Sequence, residues 1–161
     1  MNNRSAEIKI VHFQKKHADD FKSLNLVWLD EHDLTEAPDL EMLNDPQGKI
    51  IDEGGFIFIA LSEEKVIGTA ALIKSKNNLM ELAKMSIHKD YQRKGISKLL
   101  MDRCIDTARR QGTSGLYLYS STKLKAALSL YEKYGFKHVP LINSKYVTAD
   151  VYMQLSLEER I

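Results

Sequence analysis

Residues 81–102 read ELAKMSIHKDYQRKGISKLLMD, an apolar, β-prone run that passes through a basic, glycine-containing loop straight into a helical pattern. Ile96, Leu99, Leu100, Cys104 and Ala108 fall on one helical face, and Gly112 offers a left-handed stop. A strand that enters a helix through such a loop makes an anion site. The free N–H groups at the helix N-terminus, its positive dipole end and the successive loop amides converge on a phosphate. Gly95 lets the backbone take positive φ or approach a ligand closely. Arg93, Lys94 and Lys98 add charge from the sides. Read alone, the same segment is also a solvated basic turn capping an ordinary helix.

Outward from this stretch the pattern alternates between periods of two and 3.6. Upstream, Phe56–Leu61, Val66–Ile73 and Leu79–Ile87 are rich in β-branched and apolar residues and are separated by the turn compositions SEEK and KSKNN, so three antiparallel strands are expected. Glu7–Phe13 reads as a further strand, followed by a helix carrying Ala18, Phe21, Leu24 and Trp28. Residues 30–49 are polar, with Pro38 and Asp45-Pro46 as breakers, and leave room for a short helix around Leu40–Leu43. Downstream, Leu116–Tyr119 is a short strand. Leu124, Ala127, Leu128, Tyr131 and Tyr134 recur at helical spacing before Gly135, a short strand follows at Lys137–Val139, and VTADVYMQLSL (147–157) closes as a strand. The order β, α, α, three strands, α, β, α, β, β makes an α/β (α+β) fold, with a mixed, mostly antiparallel sheet of six or seven strands and helices on both faces.

Composition narrows the function. The 161 residues fit one domain, expected over 1–161. Lys plus Arg is 23 against 22 for Asp plus Glu, a balance that argues against nucleic acid as a partner. Cys104 is the single cysteine, which fits a reducing compartment. The opening MNNRSAEIKIVHF lacks the apolar run of a signal peptide and no stretch is long and apolar enough for a membrane span, so a cytoplasmic protein is expected. HExxH, CxxC, GxGxxG and GxxxxGK[ST] are absent, and His12, His17, His32, His88 and His138 are dispersed, so no metal is expected.

At Gln92-Arg93-Lys94-Gly95-Ile96-Ser97 the sequence resembles the GNAT acetyltransferase superfamily, whose signature [Gln/Arg]-X-X-Gly-X-[Gly/Ala] opens the helix after the fourth strand. Ser97 departs from the pattern but is small, with a hydroxyl that can itself bond a phosphate. A second family signature, Ala-X-X-X-Tyr ahead of Gly-Phe, matches Ala127–Tyr131 and Gly135-Phe136, in the right order and on the right element types. An Asn common near the start of that second helix is absent, with Leu124 there instead.

The resemblance implies acetyl-CoA as co-substrate, held in a wedge between two splayed parallel strands ending near Ile87 and Tyr119. It places the pyrophosphate on Gln92, Arg93, Lys94, Gly95, Ile96, Ser97 and Lys98, and the pantetheine arm on main-chain groups of Met85, Ser86 and Ile87, with Ala127 and Tyr131 alongside. Met85 and Ile87 are equally good core residues. An amide at a bulge near Met85 would polarise the thioester carbonyl. An ammonium acceptor must lose a proton before it attacks, and the departing thiolate must be stabilised. Tyr131 matches the family's tyrosine acid. A phenol near 10 giving its proton to a thiolate near 8.5 is uphill by roughly 2 kcal/mol, which favours hydrogen bonding to the thiolate over proton transfer. Glu81 is the base candidate, four residues before the carbonyl-binding position and acting through water or on an extended acceptor, or else an ordinary exposed strand glutamate. Tyr117 and Tyr119 line the acceptor channel or simply favour strand.

The acceptor implied is a primary amine, small-molecule or peptide. Residues 23–48 contain no Lys or Arg but carry Asp30, Glu31, Asp33, Glu36, Asp39, Glu41 and Asp45. In this family the matching segment overhangs the acceptor groove, so its negative field implies a cationic amine. A homodimer is compatible with the sequence, and a non-catalytic acyl-CoA-binding or sensor module is the alternative to an enzyme.

Overall fold

The structure, a computed structural model, describes residues 7–141 and 146–158. The chain runs β1 (Ile8–His12), α1 (Ala18–Glu31), α2 (Ala37–Asn44), β2 (Phe56–Ser62), β3 (Lys65–Lys74), β4 (Leu79–Ile87), α3 (Ile96–Arg110), β5 (Gly115–Ser120), α4 (Lys125–Lys133), β6 (Lys137–His138) and β7 (Val151–Ser156). The seven strands form one sheet in the order β1-β2-β3-β4-β5-β7-β6. Every neighbouring pair is antiparallel except β4 and β5.

Strand alternation sends two apolar sets to opposite faces. Phe58, Ala60, Met80, Leu82, Leu116, Leu118 and Met153 pack with the buried side of α3, while Ile57, Ile59 and Ala71 pack with Phe21 and Leu29 of α1 and Leu43 of α2. On α3 the buried residues are Ile96, Leu100, Met101, Cys104, Ile105 and Ala108. Leu99, expected among them, is 43% exposed. At about 100° per residue the six buried positions span half the helix circumference, and Leu99 falls on the opposite side.

Two further expectations change. Pro38 is no breaker: it sits in the first turn of α2, where a missing N–H costs no hydrogen bond, so the helix starts at Ala37. The closing strand begins only at Val151, because the preceding residues bond elsewhere. Val147 and Thr148 donate their amides to Glu36, and the Asp150 carboxylate accepts from the amide and hydroxyl of Thr122.

One irregularity matters for function. On β3, Thr69 and Ala71 are two residues apart, yet their β4 partners, Ser86 and Ala83, are three apart. The extra residue is a β-bulge, and Lys84 there has φ of +52°, unusual for a side chain with a Cβ. The bulge inverts the alternation: Met80 and Leu82 face α3 before it, and Met85 and Ile87 pack on that side after it.

Candidate active site

β4 and β5 pair only at Leu79–Gly115, Met80–Leu116 and Glu81–Tyr117. Beyond Glu81, β4 is paired with β3 alone, and a wedge opens between the parallel strands. Two cavities meet in it. The larger, about 640 Å³, runs along Met85, Ser86 and Ile87, the loop before α3 and the start of α4. The smaller, about 110 Å³, lies on the α1/α2 side over Glu81 and Lys84. Trp28, Met85, Leu124 and Tyr131 line both.

The large groove is basic. Arg93, Lys98, Lys123, Lys125 and Lys133 line it, with no carboxylate among its described lining residues. Gln92, Gly95, Ile96, Ser97 and Ala127 line it too. Arg93 and Gly95 both adopt positive φ, +63° and +78°, a left-handed turn geometry of the kind that gathers backbone amides around an anion. Gly95 is the N-cap of α3, whose first-turn N–H groups have no intrahelical partner. Lys94 differs from expectation: its ammonium lies 5.3 Å from the centre of the Tyr91 ring and it does not line the groove. Ser86 contributes only main chain, since its buried hydroxyl donates to the Leu24 carbonyl at 3.2 Å.

Tyr131 stands on α4, where Gly135 at φ +95° ends the helix and the Phe136 amide returns to the Tyr131 carbonyl at 3.1 Å. Its ring packs against Phe136 at 5.9 Å. Burial pushes its hydroxyl pKa up to about 12. The gap to a thiolate near 8.5 then grows to about 5 kcal/mol, which weighs against proton transfer from this phenol.

The small pocket holds Glu81, which is 2% exposed and not the surface glutamate of the alternative reading. Its other charged lining residues are Asp39 and Lys84, which form a buried ion pair across α2 and the bulge. Tyr119 lines the pocket, but Tyr117 does not; its hydroxyl donates to Ser75 at 2.8 Å. Tyr146, edge-on to Tyr119 with ring centres 5.7 Å apart, completes one wall, and burial, with Glu81 second, raises its pKa.

The acidic segment is largely committed to structure. Asp30 accepts from Thr35, Glu36 from Val147 and Thr148, Asp39 pairs with Lys84, and Asp45 accepts from the Gly48 amide. Glu31, Asp33 and Glu41 stay exposed. Periodicity gives no hint of Lys84, Asp39, Tyr146, Lys123 or Lys125 as site residues, because the β4 bulge, the irregular stretches at Lys123 and Tyr146, and the packing of α2 and the start of α4 over the wedge bring them in. Among the described residues, no cluster of three His, Cys, Asp or Glu side chains is placed to hold a metal.

Comparison with known proteins agrees with this geometry. The chain is 35% identical over 109 residues to the N-acetylaspartate synthetase of Xenopus tropicalis, a match covering 67% of this chain and 39% of that protein. The chain thus spans well under half of that relative's length. A GNAT acetyltransferase structure from Staphylococcus aureus Mu50 superposes with a TM-score of 0.87 at 23% identity, covering 94% of this chain and all of that one. Salmonella typhimurium yncA, solved with acetyl-CoA, superposes with a TM-score of 0.75 at 21% identity, covering 97% of each chain. The family model described as "Acetyltransferase (GNAT) family" matches residues 18–136, most of the chain, and the protein therefore belongs to the GNAT family of acetyltransferases.

Proposed function

We propose that this chain transfers the acetyl group of acetyl-CoA to a cationic primary amine. The observation that carries the reading is the meeting of a basic groove and an acidic pocket at Met85 and Tyr131, which line both. The groove suits a polyanionic, elongated ligand: five basic side chains, two left-handed loop residues and a helix N-terminus face it. Acetyl-CoA supplies an activated acetyl thioester.

The protein's residues divide the remaining work. Arg93, Lys98 and the amides from Gln92 to Lys98 hold phosphate, with Lys123, Lys125 and Lys133 facing them across the groove. Main-chain groups of Met85 and Ile87, unpaired with β5, bond the pantetheine arm, and the Met85 amide donates to the thioester oxygen. Glu81, at the apex of the wedge, takes the amine's proton through water. Tyr131, protonated across the physiological range, donates a hydrogen bond to the sulfur.

Acceptor charge follows from the pocket. Among the described lining residues two carboxylates, Asp39 and Glu81, accompany one ammonium, Lys84, and that ammonium is paired with Asp39. The Xenopus relative is named for a product of aspartate, an anion. Here no described lining residue of the pocket offers an uncommitted cation, so a polyamine, an aminoglycoside-like amine or a lysine-bearing peptide suits it better. Free-thiol release from acetyl-CoA, measured against cationic, neutral and anionic primary amines, tests this. Cationic amines should be the best substrates, with kcat/KM falling as salt rises. Preference for an anionic amine would refute the acceptor assignment, and binding of acetyl-CoA without turnover on any amine would favour a sensor module.

A further inference from the structure

Three buried polar groups form a chain with a defined direction. Asn25, in the middle of α1 and 2% exposed, has its side-chain nitrogen 2.8 Å from the Phe21 carbonyl and 3.0 Å from the Thr69 hydroxyl. A carbonyl only accepts, so the Asn25 amide nitrogen is the donor in both bonds and its two hydrogens are spent. Thr69, on β3 and fully buried, therefore accepts from Asn25 and sends its single hydroxyl proton onward. It donates to the carbonyl of Lys84, the bulge residue of β4, at 2.7 Å.

That carbonyl belongs to the peptide unit that carries the Met85 N–H. The Lys84–Met85 peptide is trans, so the Met85 N–H points opposite to the Lys84 carbonyl, away from Thr69 and α1. Donation into the carbonyl also polarises the unit and makes its N–H a stronger donor. We propose that Asn25 and Thr69 are positioning residues that aim and strengthen the Met85 amide as the donor to the thioester oxygen. This rests on the acetyltransferase reading above, and it explains how a non-glycine residue is held at φ +52° in the bulge: the strained peptide is fixed by a hydrogen bond from a fully buried partner. It also gives an interior asparagine of α1 a task, since asparagine is a poor helix-interior residue otherwise.

The test uses the full chain with acetyl-CoA labelled with carbon-13 at the thioester carbonyl. Thr69→Val keeps the side-chain shape and removes the hydroxyl, Thr69→Ser keeps the hydroxyl, and Asn25→Leu removes the first donor while leaving Thr69 in place. The difference infrared spectrum of the bound thioester should shift toward the free-ligand frequency in Thr69→Val, and kcat should fall on the order of tenfold with KM for acetyl-CoA within about twofold. Thr69→Ser should restore most of both, and Asn25→Leu should give a smaller shift in the same sense. Acetyl-CoA bound by Thr69→Val with an unshifted carbonyl band overturns the positioning role; should Thr69→Val not fold, an unshifted band in Asn25→Leu does so. Failure of the wild-type chain to bind acetyl-CoA overturns the acetyltransferase reading itself, which is a separate outcome.

Discussion

Tyr131 and Glu81 show how far single residues could be read from the chain. Both were visible as candidates, Tyr131 through a motif and Glu81 through its spacing from Met85, but their environments were not. Burial places the Tyr131 hydroxyl at about 12, so the residue stays neutral throughout the range in which the enzyme would work and contributes no arm to its pH–rate profile. Tyr131→Phe should lower kcat by roughly a hundredfold and leave KM for acetyl-CoA nearly unchanged, because the hydroxyl matters only as the thiolate departs. Steady-state kinetics with a cationic amine from pH 6 to 9 checks this, and a Phe variant with wild-type turnover would reduce Tyr131 to a packing residue. Glu81 had equal claims as a surface residue by sequence. Its burial follows from standing at the last β4–β5 pair, beneath α1 and α2, a tertiary placement that no local pattern encodes.

Elements with strong periodicity were the most legible. The three strands β2 to β4, the start and stop of α3 and the order of all the elements follow from alternation, helical spacing and glycines. The irregular pieces were not legible, and they build much of the site: the Lys84 bulge, the Glu36 contacts to Val147 and Thr148, and the Asp39–Lys84 pair all join segments distant in sequence. The acidic run illustrates the limit. Its charge was plain, but four of its seven carboxylates are bound to partners, which counting cannot reveal. At the loop before α3 a sharp test is available. A Cβ built on Gly95 meets no atom within 4 Å, so Gly95→Val is opposed chiefly by its φ of +78°, at a cost of at least about 1–2 kcal/mol for a β-branched side chain, local to an exposed loop. The same substitution should displace the loop amides and weaken acetyl-CoA by more than about tenfold, as read by calorimetry. Unchanged affinity in a folded variant would move the phosphate site elsewhere.

For the whole molecule, the sheet's one parallel seam positions a basic groove on one side and an acidic pocket on the other, with a partly buried tyrosine between them. That burial has a consequence for stability. The Tyr131 phenol ionises near 10 in the unfolded chain and near 12 in the fold, so both states hold the proton below pH 10 and its contribution is complete there. Between pH 10 and 12 the unfolded state loses the proton first and stability falls, by less than the roughly 3 kcal/mol a fully desolvated phenol would contribute, because the ring is only partly buried. Denaturant midpoints should therefore drop across that window in the wild type and drop less in Tyr131→Phe; equal slopes would show that the hydroxyl is not buried as described. The most direct measurement is a crystal structure of the chain with acetyl-CoA. The account predicts density along the groove between β4 and β5, phosphates on the Gln92–Lys98 loop, the thioester oxygen on the Met85 amide and the sulfur facing the Tyr131 hydroxyl. A thioester bound away from Met85 and Tyr131, or an acetyl group pointing away from the Glu81 pocket, would contradict it.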